Sequence, residues 1–186
     1  MDRSRAALGI TPRSSSAVLV AVCGPPEAPR LLDRRRIELA GNDLPAQAYH
    51  AAASLDQAEA MALIERWAHA ALDAATHGIG EALAAAATGR QVAGVGIVAE
   101  VRNVPPLATV LRSHPLLHVA EGQLSREAFA EAAASVGLSV HYLAPKGPQD
   151  PAHAESAAGM GRDAGPPWRK EHKLATVAAF AALCAG

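Results

Sequence analysis

Ala17-Val18-Leu19-Val20-Ala21-Val22 is followed, after Gly24-Pro25-Pro26-Glu27-Ala28-Pro29, by Leu31-Leu32-Asp33-Arg34-Arg35-Arg36-Ile37-Glu38-Leu39. The first run is short, apolar on both faces and β-branched at intervals, which reads as a central strand buried on both sides. The proline-rich stretch cannot join a central ladder and reads as a turn. The second run carries polar residues that suit a strand with one wet face, and the short separation makes a hairpin the expected pairing. Arg34-Arg35-Arg36 lie on an alternating strand, so they cannot all face one side. They read as a solvated or carboxylate-paired strand rather than a nucleic-acid patch.

Working outward, residues 1–16 read as a flexible N-terminal arm because of Pro12, Arg13 and Ser14-Ser15-Ser16. Beyond the hairpin, Gly41-Asn42-Asp43 signals a turn, and Gln47 to His50 reads as a short third strand. Ser54 or Asp56 is positioned to cap a long helix running to about Thr88, with Ala58, Met61, Ala68 and Leu72 at helical spacing and Gly89 as its stop. Val92 to Ala99 reads as an inner strand, Val104 to Arg112 as a short helix that tolerates Pro105 and Pro106 in its first turn, and Leu124 to Val136 as a helix ended by Gly137. Leu138 to Leu143 alternates as a strand. A long surface loop at about 147–167 precedes a final helix from Trp168 to Ala185. The expectation is one α/β domain over 17–186: a mixed five-stranded sheet with an antiparallel opening meander, flanked by helices. A doubly wound dinucleotide fold would need a glycine-rich turn and a helix directly after the first strand, and neither is present.

Composition narrows the function classes. The 186 residues are 50% hydrophobic but only 3% aromatic, so a stacking platform for bases has few rings to build it. Seventeen basic residues face eighteen acidic ones, a formal charge of -1, which argues against a broadly basic surface but not against a local basic groove. Cys23 and Cys184, the only cysteines, sit in apolar runs and read as two buried reduced thiols rather than a disulfide or zinc framework. No apolar run reaches membrane-spanning length and the first residues lack a signal-peptide core, so the cytoplasm is the expected compartment and no membrane partner is expected.

Three constellations carry candidate chemistry. In Ser113-His114-Pro115-Leu116-Leu117-His118-Val119-Ala120-Glu121, a helix would put His114, His118 and Glu121 on one face, a spacing able to hold zinc or another transition metal. The competing reading is one histidine that packs or caps and another that bonds locally. Glu100 follows a central strand, where α/β sheets present ligand-facing groups, and can hold Mg²⁺ or Mn²⁺ if a second carboxylate converges on it. Its neighbour Arg102 can instead neutralise it. Finally, Arg169, Lys170 and Lys173 stand at the N-terminal end of the last helix, the unfavourable end for cations, which gains sense if they face an anion such as phosphate and equally serves solubility. His172, beside them, is a candidate ligand or acid–base group.

The element order over roughly residues 17 to 184 resembles the ribonuclease-H-like superfamily, and within it the bacterial Holliday-junction resolvases. The resemblance implies a carboxylate on strand one, another after strand four, and acidic or histidine groups in the last helix, which together bind Mg²⁺ for phosphodiester hydrolysis. Glu100 falls at the post-strand-four position and His172 in the terminal helix. The strand-one carboxylate has no match, since that strand reads Val18-Leu19-Val20-Ala21-Val22-Cys23, and a thiol does not replace a hard oxygen ligand. The expectations are therefore a degenerate, non-catalytic module binding nucleic acid or a partner protein, a divalent-metal-dependent phosphodiester hydrolase, or a homodimeric scaffold whose alanine-rich helix faces meet across subunits.

Overall fold

The computed structural model describes residues 5–147 and 149–185. Residues 1–4 of the expected arm, Pro148 of the expected loop and the final Gly186 lie outside the described residues. Five strands form one open mixed sheet in the order β3-β2-β1-β4-β5. They are β1 (Arg5–Pro12), β2 (Ser16–Cys23), β3 (Arg30–Glu38), β4 (Gln91–Val98) and β5 (Val140–Leu143). β1 pairs antiparallel with β2 and β2 with β3, while β4 runs parallel to β1 and β5 parallel to β4. This is the ribonuclease-H-like architecture, with the antiparallel opening meander and flanking helices that the residue patterns imply.

The meander begins one strand earlier than expected. Most of the expected arm, Arg5-Ala-Ala-Leu-Gly-Ile-Thr-Pro12, is the central strand of the sheet. Its alanines and Gly9 are weak strand formers, but two neighbours supply its ladder. The run 17–23 is thus the second strand. The expected short strand near Gln47–His50 is instead helix α1 (Ala48–Ala52), as its alanine content favours.

Helix α2 (Gln57–Ala86) is capped by Asp56, whose carboxylate accepts the backbone N–H of Glu59 at 2.9 Å. Helix α3 (Leu107–Val110) is a single turn. Helix α4 (His114–Ser135) starts ten residues before the expected Leu124, because Pro115 suits its first turn and Gly122 does not interrupt it. The expected long loop holds α5 (Pro151–Gly159) and α6 (Gly161–Ala164). Asp150 caps α5 by accepting the N–H of Ala152, and Pro151 occupies its first turn. Helix α7 (Lys170–Ala185) closes the described chain. Among the described residues, no helix is long and apolar enough to cross a membrane.

Side chains alternate across the sheet as pleating requires. Leu8, Ile10, Leu19, Val95 and Ile97 pack with Trp67, Ala75, Ile79 and Phe129 of α2 and α4. Ala7, Val18, Val20 and Val22 pack with Ala179, Phe180 and Leu183 of α7 and Ala157 of α5. α7 lies unusually close to the sheet. A Cβ on Gly9 would fall 1.8 Å from the Ala175 carbonyl oxygen, and one on Gly96 2.0 Å from that of Ala178. Only glycine admits that approach. Trp168 pins the chain before α7, its Nε1 donating to the Ala157 carbonyl at 2.8 Å.

Arg34-Arg35-Arg36 divide as the alternation predicts. Arg35 pairs with Asp33 and Glu81, Arg36 with Glu38, and Arg34 donates to the carbonyls of Gly165 and Pro167. Cys23 is buried, but Cys184 is exposed, a departure from the expected pair of buried thiols. It sits in the last turn of α7, one residue beyond the buried Leu183.

Candidate functional site

Because β1, β4 and β5 are parallel, their carboxyl ends open on the same edge of the sheet, the usual ligand-binding edge of α/β sheets. A cleft of about 500 Å³ lies there. Thr11 and Pro12 enter it from β1 and Arg13 from just beyond it, and Val98, Ala99, Glu100 and Arg102 from the end of β4. α4 contributes His118, Val119 and Arg126, the turn after β5 contributes Pro145 and Lys146, and the first turn of α7 contributes Lys170 and Glu171. Five cationic side chains therefore face two carboxylates.

Both carboxylates are already held. Glu100 pairs with Arg102, and Glu171 with Arg13 at 2.8 Å. The Glu171 carboxyl is held below its ordinary value, first by its own backbone N–H at the start of α7, then by Arg13. Among the described residues, no ion pair engages Arg126, Lys146 or Lys170. Arg126 folds back over Gly122, donates to the Gln123 side chain and is partly buried; that burial, the largest effect, lowers its guanidinium below the usual value. A partly buried guanidinium without a carboxylate is a ready partner for an anion.

β1 carries no carboxylate among its described residues, and the polar residue it brings to the cleft is Thr11, which is 7% exposed. Its hydroxyl donates to the Glu171 carbonyl at 2.9 Å, tying β1 to α7. Cys23, which stood at the end of the expected first strand, pairs with Ala6 at the opposite end of β1 and is remote from the cleft in register.

Glu100 lines the cleft as its strand-end position implies, but His172 does not join it. α7 turns His172 inward, 8% exposed, against the Trp168 ring at 5.4 Å between centroids. Its Nδ1 accepts the backbone N–H of Arg169 at 3.1 Å, and burial, aided by Arg34, lowers its pKa. Glu171, one residue earlier, is the α7 group that reaches the cleft. Of the three cations expected to meet an anion, Lys170 lines the cleft and Arg169 and Lys173 do not.

The histidine pattern is brought together more fully than its spacing showed. His114 and His118, one turn apart on α4, meet His50 from α1, with ring centroids 4.6 to 5.2 Å apart. One possible ligand atom from each lies within 4.8 Å of the others, so the cluster can coordinate a divalent metal ion. Among the described residues it is the one group of three or more such side chains so placed. Glu121 stands behind it rather than in it. The carboxylate is 2% exposed and its Oε1 accepts from His50 Nδ1 at 2.8 Å and from the His50 backbone N–H at 3.3 Å. His50 itself carries no local signal, since only the packing of α1 on α4 places it. His118 belongs to both features, so the cluster lies at the rim of the cleft.

No protein-family model matches the chain, and no curated protein matches it by sequence. Solved structures do match. Thermus thermophilus RuvC in complex with a Holliday junction substrate is 15% identical, with a TM-score of 0.56 over 97% of this chain and 95% of that one. A further Thermus thermophilus RuvC structure is 12% identical at the same TM-score and coverage. At such identities the likeness is one of fold: the chain has a ribonuclease-H-like fold with a distant structural resemblance to the Holliday-junction resolvases.

Proposed function

We propose that this chain is a degenerate, non-hydrolytic member of its fold class that binds the sugar-phosphate backbone of duplex or branched DNA in the cleft at the carboxyl ends of β1, β4 and β5. The observation that carries this reading is the charge of that cleft: five cations against two carboxylates, each carboxylate held by an arginine. Hydrolysis by paired Mg²⁺ or Mn²⁺ ions calls for carboxylate oxygens free to coordinate. β1 brings Thr11 rather than a carboxylate to the cleft, and Glu100 and Glu171 are each paired with an arginine, so Arg126, Lys146 and Lys170 are the groups a phosphate would meet. Among the described residues, no Phe, Tyr or Trp lines the cleft, which favours backbone contacts over stacking on unpaired bases. The solved relative bound to a Holliday junction makes a four-way junction the natural first ligand.

The test is fluorescence anisotropy with a labelled four-way junction, a duplex and a single strand, run beside a cleavage assay in Mg²⁺ and Mn²⁺. Saturable, salt-sensitive binding of junction and duplex with strands left intact is expected. Failure to bind either at a protein concentration of about 100 µM and low salt, the weak end of ordinary non-specific affinity, overturns the binding reading. Metal-dependent cleavage abolished by Glu100→Gln overturns the non-hydrolytic one and restores the hydrolase.

A further inference from the structure

We infer that His50, His114 and His118 form a binding site for one transition-metal ion of the zinc class, with Glu121 as the positioning residue that orients His50 and with an open coordination position at the cleft rim.

The donor set selects the metal. Three neutral imidazoles suit Zn²⁺, Co²⁺, Ni²⁺ or Cu²⁺ and give Mg²⁺ none of the oxygen ligands it needs. Three protein ligands also leave a fourth tetrahedral position for water or an anionic oxygen. At a zinc–nitrogen distance of about 2.0–2.1 Å, tetrahedral ligand atoms lie about 3.3 Å apart. One ring nitrogen from each histidine already lies within 4.8 Å of the others, within about 1.5 Å of that spacing. His114 and His118 are exposed, while His50 is partly buried and its ring is held by Glu121.

Glu121 supplies the independent observation. A buried carboxylate is costly unless its charge is compensated. Oε1 engages His50 twice, yet Oε2 is buried with no hydrogen-bond partner among the described residues. Because His50 Nδ1 is committed to Glu121, Nε2 is the ring atom left for a ligand. Carboxylate–histidine–metal chains have this arrangement: the carboxylate fixes the tautomer and makes the imidazole a better donor. A cation bound through His50 would also give the buried carboxylate its missing positive charge. The inference does not rest on DNA binding, since the ligands and their support come from α1 and α4 alone.

The test uses untagged full-length protein stripped with chelator, then titrated calorimetrically with Zn²⁺ and, separately, Mg²⁺. One Zn²⁺ per chain with no Mg²⁺ isotherm is expected. His114→Ala and His118→Ala, both at exposed positions, should remove the Zn²⁺ isotherm while circular dichroism stays that of the parent. Glu121→Gln should weaken Zn²⁺ by about 10- to 100-fold, the usual cost of losing an outer-shell partner. His69→Ala/His77→Ala, which removes two exposed histidines of α2, should bind as the parent does. Stoichiometry well below one in the parent, or parental affinity in both His114→Ala and His118→Ala, overturns the site. Loss of binding in the α2 double variant overturns its location. Junction binding measured with and without Zn²⁺ tells a failed metal site from a failed cleft, because the cleft's cations need no metal.

Discussion

The charge of the cleft makes a quantitative prediction about salt. Each phosphate neutralised on duplex DNA contributes about 0.9 to the slope of log affinity against log salt. Among the described residues, Arg126, Lys146 and Lys170 are the cleft cations outside any ion pair, so the slope should be about -2.7. Raising salt from about 50 to about 200 mM should then weaken binding about 40-fold. Arg126→Ala, Lys146→Ala and Lys170→Ala should each flatten the slope by about 0.9. Glu100→Gln should act in the opposite sense. It releases Arg102 to meet a phosphate, steepens the slope by about 0.9 and tightens binding at low salt. Anisotropy titrations at several salt concentrations read all of these, with Arg66→Ala/Arg112→Ala/Arg162→Ala, exposed and away from the cleft lining, as the control. A slope unmoved by the three cleft substitutions, or moved as much by the control, refutes the assignment of the cleft. Weaker binding in Glu100→Gln refutes the claim that this carboxylate serves to restrain Arg102.

Gly96→Ala should destabilise the fold by about 1–3 kcal/mol or more in urea unfolding, because its methyl group meets the Ala178 carbonyl at 2.0 Å and α7 must lift from the sheet. Asp56→Ala should cost about 0.5–2 kcal/mol by the same assay, through loss of the α2 cap. His172 has a pKa lowered below its ordinary 6.5, chiefly by burial. Its neutral form is favoured in the folded state, so its contribution is fully present above about pH 6.5 and falls as pH drops through that value toward the lower folded pKa. Thermal unfolding scanned from neutral to mildly acidic pH should show this loss, and His172→Gln should flatten that part of the profile.

The parts of the fold legible in the residues are those where periodicity and burial coincide. β2 and β3 announce themselves by an apolar run and an alternating one, and α2 by its cap and stripe. β1 was hidden because Ala6, Ala7, Gly9 and Pro12 have little intrinsic preference for a strand. Its conformation comes from β2 and β4, and its glycine exists for α7. α5 was hidden because alanine, glycine and proline between elements look like a loop, although Asp150-Pro151 is a helix-start signal that the chain uses. At the site, the spacing of His114 and His118 was readable, and so was the strand-end place of Glu100. The third histidine was not, because His50 arrives through α1, more than sixty residues earlier in the chain. Nor could spacing alone tell that α7 would turn Glu171, rather than His172, toward the cleft.

β1 is paired along both edges, while β3 and β5 each have one free edge. In amide hydrogen exchange, protection should therefore peak in β1 and decline toward β3 and β5. Thr11, near the end of that strand and tied to α7 through the Glu171 carbonyl, should then be the most firmly held part of the cleft. Lys146, on the turn after the four-residue edge strand β5, should be the least firmly held. On the proposed function, a DNA backbone would then meet its firmest contact at the end of β1 and a more adjustable one beside β5, so that backbones of different curvature would be held against the same reference point.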